Sequence, residues 1–166
     1  MIRKATTDDL ESILEIVSDA QQSLKNRCID QWQNGYPNRE SILSDISKGI
    51  GFVVLCHDET AAYAAIIING EPEYQHLDGK WLSEKDYVVI HRICVRKAYT
   101  RQGLASCLMH KAEETALCQN IHSFKIDTHK DNHYMIDLLE KEGFAYCGEI
   151  HYPHGERIAF EKLLLQ

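Results

Sequence analysis

The sequence predicts a mixed α/β sandwich, and two observations support this fold class. Segments with apolar residues at helical spacing alternate with short β-rich runs, and the chain closes on two consecutive β-rich runs that predict a hairpin. No repeat or linker divides the 166 residues, so one domain, residues 1–166, is expected. The predicted order of elements is β-α-α-β-β-β-α-β-α-β-β.

Two helices and two strands are predicted between the first strand and residue 70. Thr6 or Thr7 caps the first helix, in which apolar residues recur at helical spacing. Gly35 and Pro37 break this pattern, so a loop is expected before Asn38 caps a short second helix. The ranges are 26–38 for the loop, 51–56 and 62–68 for the strands, and 57–59 for the turn between them.

The second half begins with a long polar segment, residues 69–86, which is typical of a functional or mobile loop. A strand then starts at Tyr87, and a helix opens at Gly103 with one apolar face. That face comprises Leu104, Leu108, Ala112 and Ala116. The remaining predicted elements are a strand at 124–127, a helix at 131–142, and a hairpin formed by 144–151 and 157–163.

Composition argues against several classes of partner. The net charge of -7 disfavours general binding to nucleic acids or anionic membranes. No stretch is apolar enough to span a bilayer and the N-terminus lacks a signal-peptide core, so a cytoplasmic protein is expected. The six cysteines form no CxxC pair and are interpreted as reduced thiols.

His129 and His133 are four residues apart, as the two ligands of a zinc helix would be, but the sequence offers no third ligand. No metal is therefore predicted.

The strand that begins at Tyr87 runs into a basic turn before the Gly103 helix. The start of a helix presents unpaired N–H groups and the positive end of its dipole. Gly103 permits close approach of a ligand, and Arg96, Lys97 and Arg101 add positive charge. This turn therefore suits a diphosphate. The dinucleotide fingerprint and the P-loop are both excluded, because their glycines and their Gly-Lys-Ser/Thr ending are absent.

The window Thr100–Ala105 (TRQGLA), preceded by Val95, Arg96 and Tyr99, resembles motif A of the GNAT superfamily of N-acetyltransferases. Asn132 and the stretch LLEKEGF at 138–144 resemble the second signature of that family. The resemblance spans nearly the whole chain. It implies a GNAT-like central mixed, mostly antiparallel sheet flanked by helices, and acetyl-CoA as co-substrate. Two positions depart from the pattern: Thr100 stands where Arg or Gln is usual, and Leu139 where many members have Tyr.

The resemblance also assigns residues to the parts of acetyl-CoA. The backbone of Ile93, Cys94 and Val95 would hold the pantetheine arm, and Asn132 its amide region. A backbone N–H near Cys94 would polarise the thioester carbonyl. The pyrophosphate would bind the amides of Arg101, Gln102, Gly103, Leu104 and Ala105.

His91 is the first candidate for the general base. It lies on a predicted strand face shared by Tyr87, Val89, His91, Ile93 and Val95. Similar family members have a histidine four positions before the residue that matches Val95, and a reference pKa of about 6.5 suits proton uptake. The alternatives are a histidine that only packs, and Asp127 or His129 as the base. Asp131 is better interpreted as a helix cap.

For the general acid and for the acceptor site, the sequence offers several candidate residues. Leu139 cannot donate a proton, which leaves Tyr134, Cys147, Tyr146 or a water molecule. In the loop 26–38, Trp32 and Tyr36 would face a small amine while Asp30 attracts its charge; alternatively, Trp32 closes the edge of the core. His129 is a further candidate for binding the substrate.

The resulting expectation is an acetyl-CoA-dependent N-acetyltransferase that acts on the primary amine of a small molecule. Two other functions are also compatible with the sequence: acetylation of a protein or peptide, and binding of acyl-CoA by a sensor without turnover. A homodimer is also considered.

Overall fold

The computed structural model describes residues 1–165, so the predicted domain range includes one residue, Gln166, outside the described part. The helices are α1 (Leu10–Asn26), α2 (Arg39–Ser47), α3 (Leu104–Leu117) and α4 (His133–Lys141). The strands are β1 (Ile2–Lys4), β2 (Gly51–Cys56), β3 (Glu59–Ile68), β4 (Asp78–Gly79), β5 (Val88–Val95), β6 (Ser123–Thr128), β7 (Ala145–Tyr152) and β8 (Gly155–Leu163).

These eight strands form one mixed sheet in the order β1-β2-β3-β5-β6-β8-β7-β4. The ladder of β5 with β6 is parallel and consists of two residue pairs, Val88 with Phe124 and Val89 with Lys125. The β1–β2, β2–β3, β4–β7, β6–β8 and β7–β8 ladders are antiparallel. The predicted fold class, a mostly antiparallel sheet flanked by helices, is therefore confirmed.

The strand β4 was not predicted, because its two residues carry no apolar alternation. It lies in the segment 69–86, which also contains a 3-10 turn at Pro72–His76. Gly79 pairs with Gly148 of β7. A Cβ on Gly79 would lie 2.1 Å from the carbonyl oxygen of Cys147, so only glycine permits this approach of the two backbones.

Capping chemistry fixes several element boundaries. Thr6 caps a 3-10 turn at Thr7–Asp9, so α1 begins only at Leu10. Asn38 caps α2 as predicted, and its Oδ1 accepts a bond of 3.0 Å from the Ser41 N–H. The prediction that Asp131 caps α4 is wrong: Asn132 is the N-cap residue, and the Asp131 N–H donates to His129 Nδ1 at 3.1 Å.

The hairpin between β2 and β3 is tighter than predicted. His57 and Asp58 both have left-handed backbone, with φ of 49° and 62°, and form a two-residue turn. Therefore β3 begins at Glu59, three residues earlier than the apolar run suggested.

The chain divides into two compact units. Unit 1 comprises Met1–Ile66 and Ile90–Met109, and unit 2 comprises Ile67–Val89 and the described residues from His110 onward. The core of unit 1 includes Ile13, Ile16 and Val17 of α1, packed with Ile42, Val53 and Tyr63. The core of unit 2 includes Tyr74, Trp81, Val89, Cys147, Ile150 and Ala159. Whether the units form the single predicted domain stays a prediction.

Candidate active site

The turn before α3 combines an open backbone with a helix start. Arg101 and Gly103 both have left-handed backbone, with φ of 62° and 79°, and α3 begins at Leu104. No heavy atom lies within 4 Å of the position that a Cβ on Gly103 would occupy. The first N–H groups of a helix lack intrahelical partners and carry partial positive charge. This geometry suits an anionic group seated against the turn.

The charges around this turn differ from the prediction in one respect. Arg96 was expected to contribute free positive charge, but its guanidinium pairs with Glu15 and Glu59, each at 3.3 Å. Arg96, which follows β5, therefore connects the end of that strand to α1 and β3. Lys97 and Arg101 are exposed, and neither forms an ion pair within residues 1–165. They are the side chains that leave positive charge available to a ligand.

Strand β5 contains an irregularity that the sequence did not reveal. Arg92 has left-handed backbone, with φ of 55°, in the middle of the strand. Since regular alternation requires extended residues on both sides, the prediction that His91 shares one face with Ile93 and Val95 is wrong.

Cys94 lies in the core of unit 1, and burial raises the pKa of its thiol to about 12. The Cys94 side chain is therefore a packing group.

Arg92 is the centre of a buried polar network in unit 1. Its Nε and Nη2 donate to the two carboxylate oxygens of Asp45 at 2.8 and 2.6 Å. The hydroxyl of Tyr63 donates to Asp45 Oδ2 at 2.5 Å, and Arg92 Nη1 donates to the Tyr36 hydroxyl at 2.5 Å. The network thus holds the left-handed strand residue and ties Tyr36, a predicted substrate residue, to β5.

His91 is half-buried, immediately before the irregular residue. Burial, with a smaller contribution from the Arg92 charge, lowers its pKa to about 4. The imidazole is consequently neutral at physiological pH and can accept a proton. This pKa lies below the reference value of about 6.5, because desolvation penalises the imidazolium. The role of His91 as the base remains a prediction.

The other acceptor candidates of unit 1 have unequal surroundings. Trp32 is half-buried and packs against the unit 1 core, which supports the interpretation that it closes the core edge. Tyr36 is 39% exposed, and Asp30 is exposed. The Gln21 side chain donates to the Pro37 carbonyl at 3.1 Å, so the loop is anchored to α1.

In unit 2, the predicted residues cluster at the start of α4. Asn132 Nδ2 donates to Thr128 Oγ1 at 3.3 Å, and His129 Nδ1 accepts from the Asp131 N–H. Tyr134 is 64% exposed, whereas Leu139 is fully buried. Of the other acid candidates, Tyr146 is exposed, and burial raises the pKa of the Cys147 thiol. The roles of Asn132, His129 and Tyr134 remain predictions.

Asp127, the alternative base, lies in a network that sequence analysis missed. The hydroxyls of Tyr74 and Tyr152 donate to its Oδ2 at 2.8 and 3.0 Å. Burial raises the pKa of Asp127, although the two hydroxyl bonds act in the opposite direction. No local pattern marks these tyrosines as its partners, because they lie 53 and 25 residues away in the chain.

Unit 2 also contains a cavity of about 500 Å³. Its wall is built mainly by the segment 69–87, and Lys125 of β6 contributes a buried ammonium. The aromatic part of the lining consists of Tyr74, Trp81 and Tyr87. Sequence analysis identified the segment as a loop but not the cavity.

Within residues 1–165, no group of three or more His, Cys, Asp and Glu residues is arranged to hold a metal ion. No helix in the same range has both the length and the apolar character needed to cross a membrane. All six cysteines are free thiols.

Residues 11–144 match the family described as Acetyltransferase (GNAT) family. A GNAT-family acetyltransferase structure from Streptococcus agalactiae 2603 is 31% identical, with 100% of this chain and 96% of that chain covered and a TM-score of 0.91. No curated protein matched the sequence.

Two more distant structures share the fold. A GNAT-family acetyltransferase from Listeria monocytogenes 4b F2365 is 20% identical, with 99% of this chain and 94% of that chain covered and a TM-score of 0.76. The ribosomal-protein-alanine N-acetyltransferase from Brucella melitensis is 18% identical, with 99% of each chain covered and a TM-score of 0.70. At these identities the similarity concerns the fold alone.

Proposed function

Because the chain belongs to the GNAT family of acetyltransferases, whose members use acetyl-CoA, we propose that it acetylates the primary amine of a small molecule. The observation that carries the proposal is the turn at Gly103. Its open space, its left-handed backbone and the exposed Lys97 and Arg101 suit the pyrophosphate of CoA. We include a cytoplasmic location in the proposal, and a homodimer stays a prediction that light scattering would test.

The remaining contacts with acetyl-CoA follow the family assignment. The amides of Arg101 to Ala105 bind the pyrophosphate, and the backbone of Ile93 to Val95 pairs with the pantetheine arm. The short β5–β6 ladder, which ends at Val89, is consistent with such pairing. A backbone N–H near Cys94 then polarises the thioester carbonyl, while Asn132 bonds the pantetheine amides.

In the reaction, the amine nitrogen attacks the thioester carbon, the C–S bond breaks, and the nitrogen loses a proton. His91 is the proposed acceptor of that proton. With a pKa of about 4 it is neutral at physiological pH, but it is a weak base for a free ammonium, whose pKa is about 10.4. We therefore assign it proton uptake as the new N–C bond forms and the nitrogen becomes more acidic. Water protonates the leaving thiolate, with Tyr134 as the alternative donor.

A small molecule is favoured over a peptide by the loop 26–38. The side chain of Gln21 anchors Pro37, and Arg92 anchors Tyr36, so the candidate acceptor residues lie on a fixed segment. Trp32, Tyr36 and Asp30 in this loop, together with His129, are the proposed acceptor residues. A fixed wall suits a compact ligand, since binding then orders few groups.

The first experiment tests CoA binding by thermal shift with Gly103→Val. At a ligand concentration of about 100 times the dissociation constant, binding should stabilise the parent protein by roughly 2.7 kcal/mol. The valine enters the space that the diphosphate needs, so the shift should disappear. Gly143→Val is the control, because Gly143 has a similar φ of 88° and its Cβ position meets only Lys162 Cε, at 4.0 Å.

Normal CoA binding by Gly103→Val would exclude the turn as the pyrophosphate site. The second experiment measures release of free thiol from acetyl-CoA in the presence of pooled small amines and, separately, of peptides. Thiol release with an amine supports the proposal, and release with peptides alone supports protein acetylation. CoA binding without thiol release in either pool would favour the sensor.

A further inference from the structure

The ammonium of Lys125 lies in an aromatic corner of the unit 2 cavity. Lys125 Nζ is 4.5 Å from the ring centroid of Trp81 and 4.7 Å from that of Tyr87. It also donates to the carbonyl of Ser83 at 3.0 Å. Lys125 is only 4% exposed, so its charge is withdrawn from solvent at the cavity wall.

Burial lowers the pKa of Lys125, while the charges of Glu161 and Glu84 act in the opposite direction from beyond ion-pair distance. Lys125 forms no ion pair with any residue between 1 and 165. The nearby buried carboxylate, Glu161, is engaged by other donors: the N–H of Leu82 at 2.5 Å and the hydroxyl of Ser123 at 2.6 Å. Buried lysines are usually paired, because removal of an ammonium from water is costly. The two aromatic faces and one carbonyl offset only part of that cost.

The cavity is held open by bonds at the base of the segment 69–87. The Asn69 N–H donates to the Tyr87 carbonyl at 2.9 Å, and the Tyr87 N–H donates to Asn69 Oδ1 at 3.1 Å. Trp81 is fixed in turn, since its indole N–H donates to the Tyr74 carbonyl at 2.8 Å. A ligand would therefore meet walls that are already in place, which lowers the entropic cost of binding.

The charged groups that line the cavity differ in burial. Glu84, Lys85 and Asp86 are exposed, so water screens their charges, and Glu71 is half-buried. Lys125 is buried, and electrostatic interactions are stronger where water is excluded. The corner of the cavity at Lys125 consequently favours a negative group beside aromatic surfaces.

We propose that this cavity binds a small planar organic carboxylate, whose carboxylate pairs with Lys125 Nζ and whose ring packs against Tyr74, Trp81 and Tyr87. Such a ligand supplies the direct ion pair that Lys125 does not form with any of residues 1–165. The cavity volume of about 500 Å³ accommodates a one- or two-ring acid. The proposal concerns binding alone and does not require that the ligand be acetylated or that CoA be present.

Isothermal titration calorimetry with two probes of matched shape and opposite charge tests the proposal. Indole-3-acetate should bind the CoA-free protein with a dissociation constant below about 1 mM. Tryptamine, which has the same ring and a positive charge, should bind at least about tenfold more weakly because Lys125 repels it. No heat from indole-3-acetate, or equal binding of the two probes, would overturn the proposal.

Lys125→Met and Lys141→Met provide the matched variants. The first keeps an apolar stem of similar length and should weaken indole-3-acetate binding at least about tenfold. The second removes an exposed lysine that does not line the cavity and should leave binding unchanged. Unchanged affinity in Lys125→Met would refute the role of the ammonium.

A measurement on the parent protein keeps the test independent of how the variant folds. Amine acylation by sulfosuccinimidyl acetate, followed by mass spectrometry of peptides, reports the accessibility of each lysine. Indole-3-acetate should reduce acylation of Lys125 at least about fivefold and leave Lys141 unchanged. Equal acylation of Lys125 with and without the probe would contradict the proposal even if calorimetry detected binding elsewhere.

Discussion

Two buried cations of this protein, Arg92 and Lys125, have opposite surroundings. The Arg92 side chain is 12% exposed and forms a bidentate ion pair with Asp45, which is 4% exposed. Lys125 is 4% exposed and contacts a backbone carbonyl and two aromatic faces, but it forms no ion pair with a carboxylate of residues 1–165. One positive charge has a direct carboxylate partner, and the other does not.

The difference separates a structural charge from a charge poised for a ligand. Arg92 occupies a left-handed position within a strand, and its pairing with Asp45 and Tyr36 offsets the strain of that backbone. Lys125 lies in strand β6 and contacts the segment 69–87 through the Ser83 carbonyl and two rings, but it offsets no backbone strain. Ligand binding is the role that we propose for its ammonium.

The largest expected effect is that of Arg92→Met on stability. The substitution leaves the buried Asp45 carboxylate with only the Tyr63 hydroxyl, so unfolding should become easier by about 3–5 kcal/mol. Urea unfolding followed by circular dichroism measures this. The control is Glu11→Gln, which breaks the exposed Glu11–Arg39 pair and should leave the midpoint unchanged. A loss as small as that of the control would show that Asp45 is solvated once Arg92 is gone.

The second effect is a pH dependence that His91 imposes. Its folded pKa of about 4 lies below the ordinary value of 6.5, so the unfolded chain binds the proton first as pH falls. Stability should therefore decrease between pH 6.5 and about 4, by up to about 3 kcal/mol from this residue. His91→Gln should flatten that part of the stability profile. An unchanged slope would mean that His91 is solvated and titrates normally.

The same substitution has a kinetic outcome. If His91 accepts the proton of the amine, His91→Gln should lower kcat/KM by about one to three orders of magnitude and leave CoA affinity unchanged. The pH–rate profile of the parent should show no His91 titration near neutrality. Full activity of the variant would transfer the role to Asp127, His129 or water.

The sequence predicted best those features whose chemistry is local. The Asn38 cap, the Gly103 turn and the apolar face of α3 each depend on residues a few positions apart. Leu108, Ala112 and Ala116 of that face are fully buried, as expected. Such signals survive in the sequence because helix periodicity and capping act within one or two turns.

Features that depend on distant partners could not be predicted. The assignment of free charge to Arg96 failed because its partner Glu15 lies 81 residues earlier. The Asp45–Arg92 pair joins residues 47 apart, and the Lys125 site depends on a loop that begins more than 50 residues before it. Which side chains meet across such distances is set by the topology of the sheet, and one sequence carries no direct signal for it.

A smaller effect is expected for Lys125→Met on stability, in contrast to Arg92→Met. The substitution removes a buried charge and its cation–π contacts, while the nearby Glu161 carboxylate keeps its bonds from the Leu82 N–H and the Ser123 hydroxyl. The free energy of unfolding should consequently stay within about 1 kcal/mol of the parent value or rise. The measurement is the same urea titration. A loss similar to that of Arg92→Met would show that Lys125 is a structural group and would remove the contrast between the two cations.

The smallest effect is expected for Tyr36→Phe, which removes one bond of Arg92 and leaves the ion pair intact. Tyr36 is 39% exposed, so water can replace its hydroxyl beside Arg92 Nη1, and the stability loss should stay below about 1 kcal/mol. Its consequence should instead be kinetic, because the hydroxyl is the link between the acceptor loop and β5. If the loop forms the acceptor wall, KM for the amine should rise several-fold, while kcat and CoA affinity remain unchanged. Gln33→Glu is the control for loop disturbance, because the Gln33 amide lies in the same loop but donates to the carbonyls of Gln21 and Gln31. Equal amine KM values for the parent and Tyr36→Phe would place the acceptor elsewhere and leave Tyr36 as a partner of Arg92 only.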